Sequence, residues 1–313
     1  MKSIGEHRRD IIQRVALSRR DVLAFGAGAA LSAWAEDAHG IPIRDGVPRV
    51  DYHAHPESGM TVARALSISQ ERGVKLGLVQ HAGVKDDPSS ERVSNDDELK
   101  VWIQSLEGKP LFKGIQAEGM NWMSAFSKAA VAKLDYVLSD ALTMPDKSGA
   151  LVKLWTPAFQ TDDAEAFMDR YVDFHAEVMA KQPIDILANP TFLPEALDYD
   201  KLWTEKRMRK VIDAAVRYRV AIEINSRYRV PRLAFLEMAR SAGLKFSFGS
   251  NAHTAEGIGN IQYGVEMYRR LGLKVEQFFR PARRRRADPR ADPWADPLAP
   301  LWSFYIIQTH KLK

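Results

Sequence analysis

The chain has 313 residues, no cysteine and a formal net charge of +5. Without thiols there is no disulfide framework and no thiolate metal site, so any metal must be held by imidazole, carboxylate or amide oxygen. The basic balance sits at the ends, +3 in residues 1–35 and +5 in residues 280–313, which leaves −3 for 36–279 and gives no ground for specific nucleic-acid binding.

Residues 1–35 read as a twin-arginine-type signal peptide. Arg19-Arg20 precede a weakly apolar, Ala- and Gly-rich stretch from Val22 to Ala35, which closes on the small-x-small triplet Ala33-Trp34-Ala35. Such a leader implies a bacterial protein passed to the twin-arginine export machinery and a periplasmic or extracellular location. The stretch is too short to serve as a permanent membrane span. Residues 36–47 read as a linker to the main domain, 48–279.

The first strand is expected at 48–51 and runs into Asp51-Tyr52-His53-Ala54-His55. Residues i and i+2 of a strand share a face, so His53 and His55 can aim both imidazoles at one point. A helix at 62–72 and a strand at 75–80 follow, ending at His81. Next come a helix at 96–106, with Leu99, Trp102, Ile103 and Leu106 at helical spacing, and a strand at 111–117 ending at Glu118. Trp122 lies close enough to Glu118 to line a pocket. The strand at 135–139 ends at Asp140. The helix at 162–181 opens on an Asp162-x-x-Glu165 capping signature and carries His175 beside its apolar stripe, a position for packing or solvent exposure rather than for ligation. The strand at 184–188 ends at Asn189, and a helix at 201–219 leads to a strand at 220–225 bearing Glu223 and Asn225. Arg227 and Arg229 follow, spaced for bidentate phosphate contacts or for a solvent-facing loop. A helix at 231–242, with Pro231 in its first turn, precedes the last strand, 245–249, and Gly249-Ser250-Asn251-Ala252-His253. A helix at 257–271 completes the series.

Strands alternating with helices predict a parallel sheet with helices outside. Seven such units, with polar residues collecting at the C-terminal strand ends, predict an α/β class, TIM-like barrel with its site at that face. An open doubly wound sheet is disfavoured because candidate residues come from nearly every strand rather than one switch point. Clustered imidazoles at strand ends suit a transition metal. Beyond 279, a run of four arginines and three Ala-Asp-Pro units predict a disordered tail over 280–313.

Taken in order, His53-x-His55, strand-end His81, Gly114-Ile115-Gln116-Ala117-Glu118, Asp135-Tyr136-Val137, Asp185-Ile186-Leu187-Ala188-Asn189-Pro190 and Gly249-Ser250-Asn251-Ala252-His253 resemble the PHP family, the polymerase and histidinol phosphatase domain. The resemblance spans about residues 48–279. It implies a distorted seven-stranded (β/α)7 barrel that binds divalent ions and hydrolyses phosphate esters. By position it implies His53, His55, His81, Glu118, Asp140 and His253 as metal ligands. Glu118 would bridge two ions, and Asp140 or His253 would assist proton transfer. Three departures stand out: Asn189 replaces the histidine of a His-Pro pair, Asn251 replaces the aspartate of Gly-Ser-Asp-Ala-His, and Glu57 and Ser58 lie where a further histidine is usual. Asn189 and Asn251 can ligate only through amide oxygen. One or two ions (zinc, manganese or iron) are therefore expected, acting on a small, phosphorylated substrate. The alternatives are an amidohydrolase-type C–N or C–O hydrolase, which shares His-x-His on a barrel strand, and a catalytically impaired metal- or ligand-binding domain.

Overall fold

The computed structural model describes residues 36–57, 59–85 and 92–281. The signal-like segment 1–35, Ser58 and the tail beyond Pro281 lie outside the described residues.

Seven parallel strands follow one another around the sheet in chain order: β1 (Val50–Ala54), β2 (Lys75–Leu78), β3 (Phe112–Ala117), β4 (Tyr136–Ser139), β5 (Ile186–Leu187), β6 (Ala221–Asn225) and β7 (Phe246–Gly249). Each is hydrogen-bonded to the next, for instance Gly114 opposite Tyr136 and Asn225 opposite Gly249. A short extension, His81–Ala82, prolongs the line of β2 beside Gln116 and Ala117. β1 and β7 share no ladder of their own. The gap between them is bridged one step further on, where the His55 amide donates to the Ala252 carbonyl at 2.8 Å. The outcome is the distorted, nearly closed (β/α)7 barrel that the alternation of elements predicts.

One buried carboxylate pins that closure. Asp51 accepts from the amide and hydroxyl of Ser250 (2.9 and 2.6 Å), the amide of Gly259 (3.0 Å) and the amide of His53 (3.1 Å). Burial raises its pKa, and the four donors pull it back toward the charged form. Asp51 thus ties the first strand to the turn after the last.

The helices lie outside: α1 (Val62–Arg72), α2 (Asp96–Leu106), α3 (Ala164–Lys181), α4 (Glu205–Tyr218), α5 (Leu233–Ser241) and α6 (Gln262–Arg270). Side-chain caps set most of their starts, with Thr61, Asn95, Asp163 and Thr204 each accepting from a backbone amide of the first turn. The cap of α3 is Asp163, one residue beyond the expected Asp162. The single helix expected at 201–219 is broken: Asp198 caps a short turn, Tyr199–Leu202, before Thr204 starts α4. Pro231 sits ahead of the N-cap Arg232 and not inside the first turn of α5. The first two differences follow from a second capping side chain close by, which local periodicity does not weigh; Arg232 makes no side-chain cap bond. Among the described residues, no helix is long and apolar enough to cross a membrane.

The barrel interior is packed at its N-terminal end by aromatic rings. The Tyr136 ring lies edge-on to Tyr52, and its hydroxyl donates to the Tyr52 carbonyl at 2.6 Å. A Cβ at Gly114 would come within 2.4 Å of that ring, so a glycine on the neighbouring strand makes room for it. Residues 36–47, expected as a linker, pack on the same end. Ile41 is buried, and the Lys75 ammonium, at the start of β2, donates to the Gly40 carbonyl at 2.7 Å. The filled lower end leaves polar chemistry to the upper one.

Candidate metal centre

At the C-terminal ends of the strands, four imidazoles gather. His55, fully buried just past β1, is stacked between His81 (ring centroids 4.6 Å) and His253 (4.4 Å), with His53 at 5.2 Å. The i, i+2 rule brings His53 and His55 to one side as expected, but their nitrogens are used differently. His53 has both ring nitrogens engaged, Nδ1 with Glu223 at 2.7 Å and Nε2 with the Gln116 side-chain oxygen at 2.9 Å. Burial alone would lower its pKa, but the adjacent Glu223 carboxylate outweighs that and raises it. The pair fits only because residue 249 is glycine: a Cβ there would fall 1.8 Å from the Glu223 carboxylate.

His55 is the opposite case. Neither ring nitrogen meets a hydrogen-bond partner among the described residues. Burial first, then the imidazoles of His53, His81 and His253, hold its pKa well below the usual range, with the nearby Gln116 amide acting the other way. It is a neutral base with its lone pair exposed to the cluster. A buried polar group left this way costs roughly 1–3 kcal/mol unless something binds it.

That lone pair has company. His55, Glu57, His81 and His253 each offer one ligand atom, and these atoms lie within 4.8 Å of one another. Their outer nitrogens are held from behind. His81 Nδ1 is bonded to Glu118 at 2.8 Å, and His253 Nε2 to the Asn251 oxygen at 3.1 Å. Carboxylate or amide oxygen behind a ligating imidazole fixes its tautomer and aim. His253 Nδ1 also touches Glu57, whose pKa is lowered chiefly by that hydrogen bond. Glu57, on the loop after β1, thereby joins the group, which sequence spacing did not assign to it. Three imidazoles and one carboxylate, with an orphaned buried nitrogen at the centre, fit a divalent transition ion.

The remaining expected ligands face elsewhere. Asp140 accepts from the Asn189 amide at 2.9 Å, from Gln116 at 3.4 Å and from the Leu142 backbone at 3.0 Å. Burial and the neighbouring Glu118 push its pKa up to about 6. Asn189 turns its nitrogen to Asp140 and its oxygen to the amides of Asn225 (2.8 Å) and Asn251 (3.3 Å). Asn189 and Asn251 both have φ +47°, a left-handed conformation that asparagine tolerates better than most residues. Glu118 holds His81 and accepts from Gln116 at 3.1 Å.

A cleft of about 420 Å³ opens over this floor, lined among others by Glu57, His81, Glu118, Asp140, Asn251 and His253. Arg227 lines it and donates to the Asn251 carbonyl at 3.1 Å. Arg229 does not: it pairs with Glu266 at 3.2 Å and covers the Tyr263 ring. Trp122 is also outside, fully buried against Phe126, because the turn after β3 folds it into the core. Arg92, Lys153 and Trp155 line the cleft instead. Lys153 and Trp155 come from the arm Thr143–Pro145/Leu151–Lys153, an antiparallel hairpin inserted after β4 and the residues just past it. Its signal was present in the turn Asp146-Lys147-Ser148-Gly149, where Asp146 accepts from Ser148 and Ala150 and Gly149 has φ +89°.

The fold and site together define a parallel α/β barrel with a histidine–carboxylate group, able to hold a metal ion, at the mouth. The chain is 22% identical over 244 residues to a protein described as a probable phosphatase from Shewanella loihica, a match covering 73% of this chain and 87% of that protein. No family model matches the chain.

Proposed function

We propose that this chain is an exported, metal-dependent hydrolase that cleaves phosphate esters of a small-molecule substrate. The observation that carries the reading is His55, buried amid Glu57, His81 and His253 with neither ring nitrogen partnered among the described residues. The probable phosphatase it resembles supports the substrate class, and Arg19-Arg20 ahead of an apolar stretch supports export. PHP-like motifs in the same order agree with both fold and chemistry.

His55, Glu57, His81 and His253 would hold a divalent ion, which when bound would supply Lewis-acid activation of water and of a phosphoryl oxygen. Glu118 and Asn251 fix the aim of His81 and His253. Arg227, Lys153 and Arg92 offer positive charge to the remaining phosphoryl oxygens. Asp140, whose carboxyl keeps its proton up to about pH 6, faces the same cleft and is placed to pass a proton to the leaving oxygen.

The test is hydrolysis of 4-nitrophenyl phosphate and of a 4-nitroanilide by the full chain loaded with Zn2+ or Mn2+, with and without chelator. Chelator-sensitive phosphate release is expected; cleavage of the anilide alone would replace this reading with the amidohydrolase one. The second reading, a metal- or ligand-binding domain without turnover, is favoured by one observation, the amides of Gln116, Asn189 and Asn251 within the site. Tight metal with no turnover on either substrate would establish it.

A further inference from the structure

Gln116 stands at the junction of the two halves of the site, buried, at the penultimate position of β3. Its oxygen faces His53 Nε2 at 2.9 Å and its nitrogen faces Glu118 Oε1 at 3.1 Å and Asp140 Oδ2 at 3.4 Å. This orientation is dictated by its surroundings. A reversed amide would set its oxygen against two carboxylates. Asn189 obeys the same logic, its nitrogen on Asp140 and its oxygen receiving two other amides. Two N–H groups therefore converge on the Asp140 side of the cleft, where a cation shared by Glu118 and Asp140 would have to sit. An amide hydrogen carries partial positive charge and occupies the lone pairs that such a cation needs. His53, capped by Glu223 and Gln116, has no nitrogen left to contribute either.

We propose that Gln116 and Asn189 stand in for a second metal ion, so that the centre takes one divalent ion per chain, on the His55–Glu57–His81–His253 side. This rests on the metal-dependent reading above. Gln116 is a positioning residue: it holds the Glu118–Asp140 pair together where a cation would otherwise be required. Charge on the substrate's phosphoryl oxygens is then offset by Arg227, Lys153 and Arg92 rather than by a second ion.

The experiment is the metal content of the full chain after loading with Mn2+ and removal of excess, for the wild type, Gln116→Glu and Asp140→Asn. One equivalent is expected in the wild type, two in Gln116→Glu, where three carboxylates converge and need a cation, and one in Asp140→Asn. Should Gln116→Glu fail to fold, the paramagnetic resonance spectrum of the Mn2+-loaded wild type decides: an uncoupled mononuclear signal is expected, and an exchange-coupled pair would overturn the proposal. Two equivalents in the wild type, one in Gln116→Glu or none in Asp140→Asn would also overturn it while leaving metal dependence intact. No metal in the wild type would instead remove the metal-dependent reading itself, and this proposal with it.

Discussion

On one side of the cleft floor His55 has both ring nitrogens without a partner among the described residues; on the other, Gln116, Asn189, Asp140 and Glu118 bond one another until little is left over. The two sides meet where His81 bonds Glu118 at 2.8 Å; one is mostly imidazole, the other amide and carboxylate. The difference is where the donors point. Amide N–H groups aimed at carboxylates complete a network, whereas imidazoles aimed at each other leave lone pairs that only a cation or a proton can use. A buried polar group left over marks a ligand's place better than residue type does.

The sharpest way to break the contrast is His55→Ala. It removes the central donor of the unsatisfied side, and we expect hydrolysis to fall by on the order of 10³-fold or more, since a metal's contribution is several kcal/mol. Steady-state kinetics together with metal content check this; full activity with normal metal would show that His55 is merely packed. Next is Glu223→Ala, which leaves His53 buried without its carboxylate on the satisfied side. A broken buried pair costs about 3–5 kcal/mol, to be read from denaturant unfolding, and a change under 1 kcal/mol would argue against the pair's role.

Glu118→Gln tests the point where the two sides touch. It weakens the support behind His81 without removing a ligand, and metal affinity is expected to drop roughly 10- to 100-fold. An unchanged affinity would mean that Glu118 does not orient His81. The smallest effect comes from a third buried imidazole that serves as control. His175 bonds the Tyr171 carbonyl at 2.8 Å and packs on Tyr171 and Trp203. Burial lowers its pKa to about 4. The unfolded chain therefore takes up the proton first, so stability is complete above about pH 6.5 and is lost as pH falls toward 4. At pH 5 the loss is about 2 kcal/mol. His175→Phe is expected to remove that part of the acid slope in urea midpoints measured across pH; an identical slope in the variant would place the titration elsewhere.

Much of this architecture was legible in the chain. The seven strands fall where apolar runs predict them, and His55, His81 and His253 could be picked out as strand-end residues because strand periodicity constrains where a side chain points. Glu57 could not, since it reaches the group from a loop whose path no periodicity describes. Gln116 lay inside a motif but carried no signal of its own, because an amide's role depends on which end faces which neighbour. Trp122 and Arg229 are near the right strand ends in sequence, but local turns carry one into the core and the other to Glu266. Lys153 and Trp155 reach the cleft only through the inserted hairpin.

The sequence by itself determined a parallel α/β barrel and the polar residues at its strand ends, because 2- and 3.6-residue periods and strand ends are local properties. Only the tertiary structure decided which of those residues are partnered. Hydrogen-bond satisfaction depends on side chains brought together from strands far apart in the chain: Glu223 and Gln116 against His53, Asn189 and Gln116 against Asp140. That pairing turns a row of similar strand-end residues into one open, metal-ready group and one closed network.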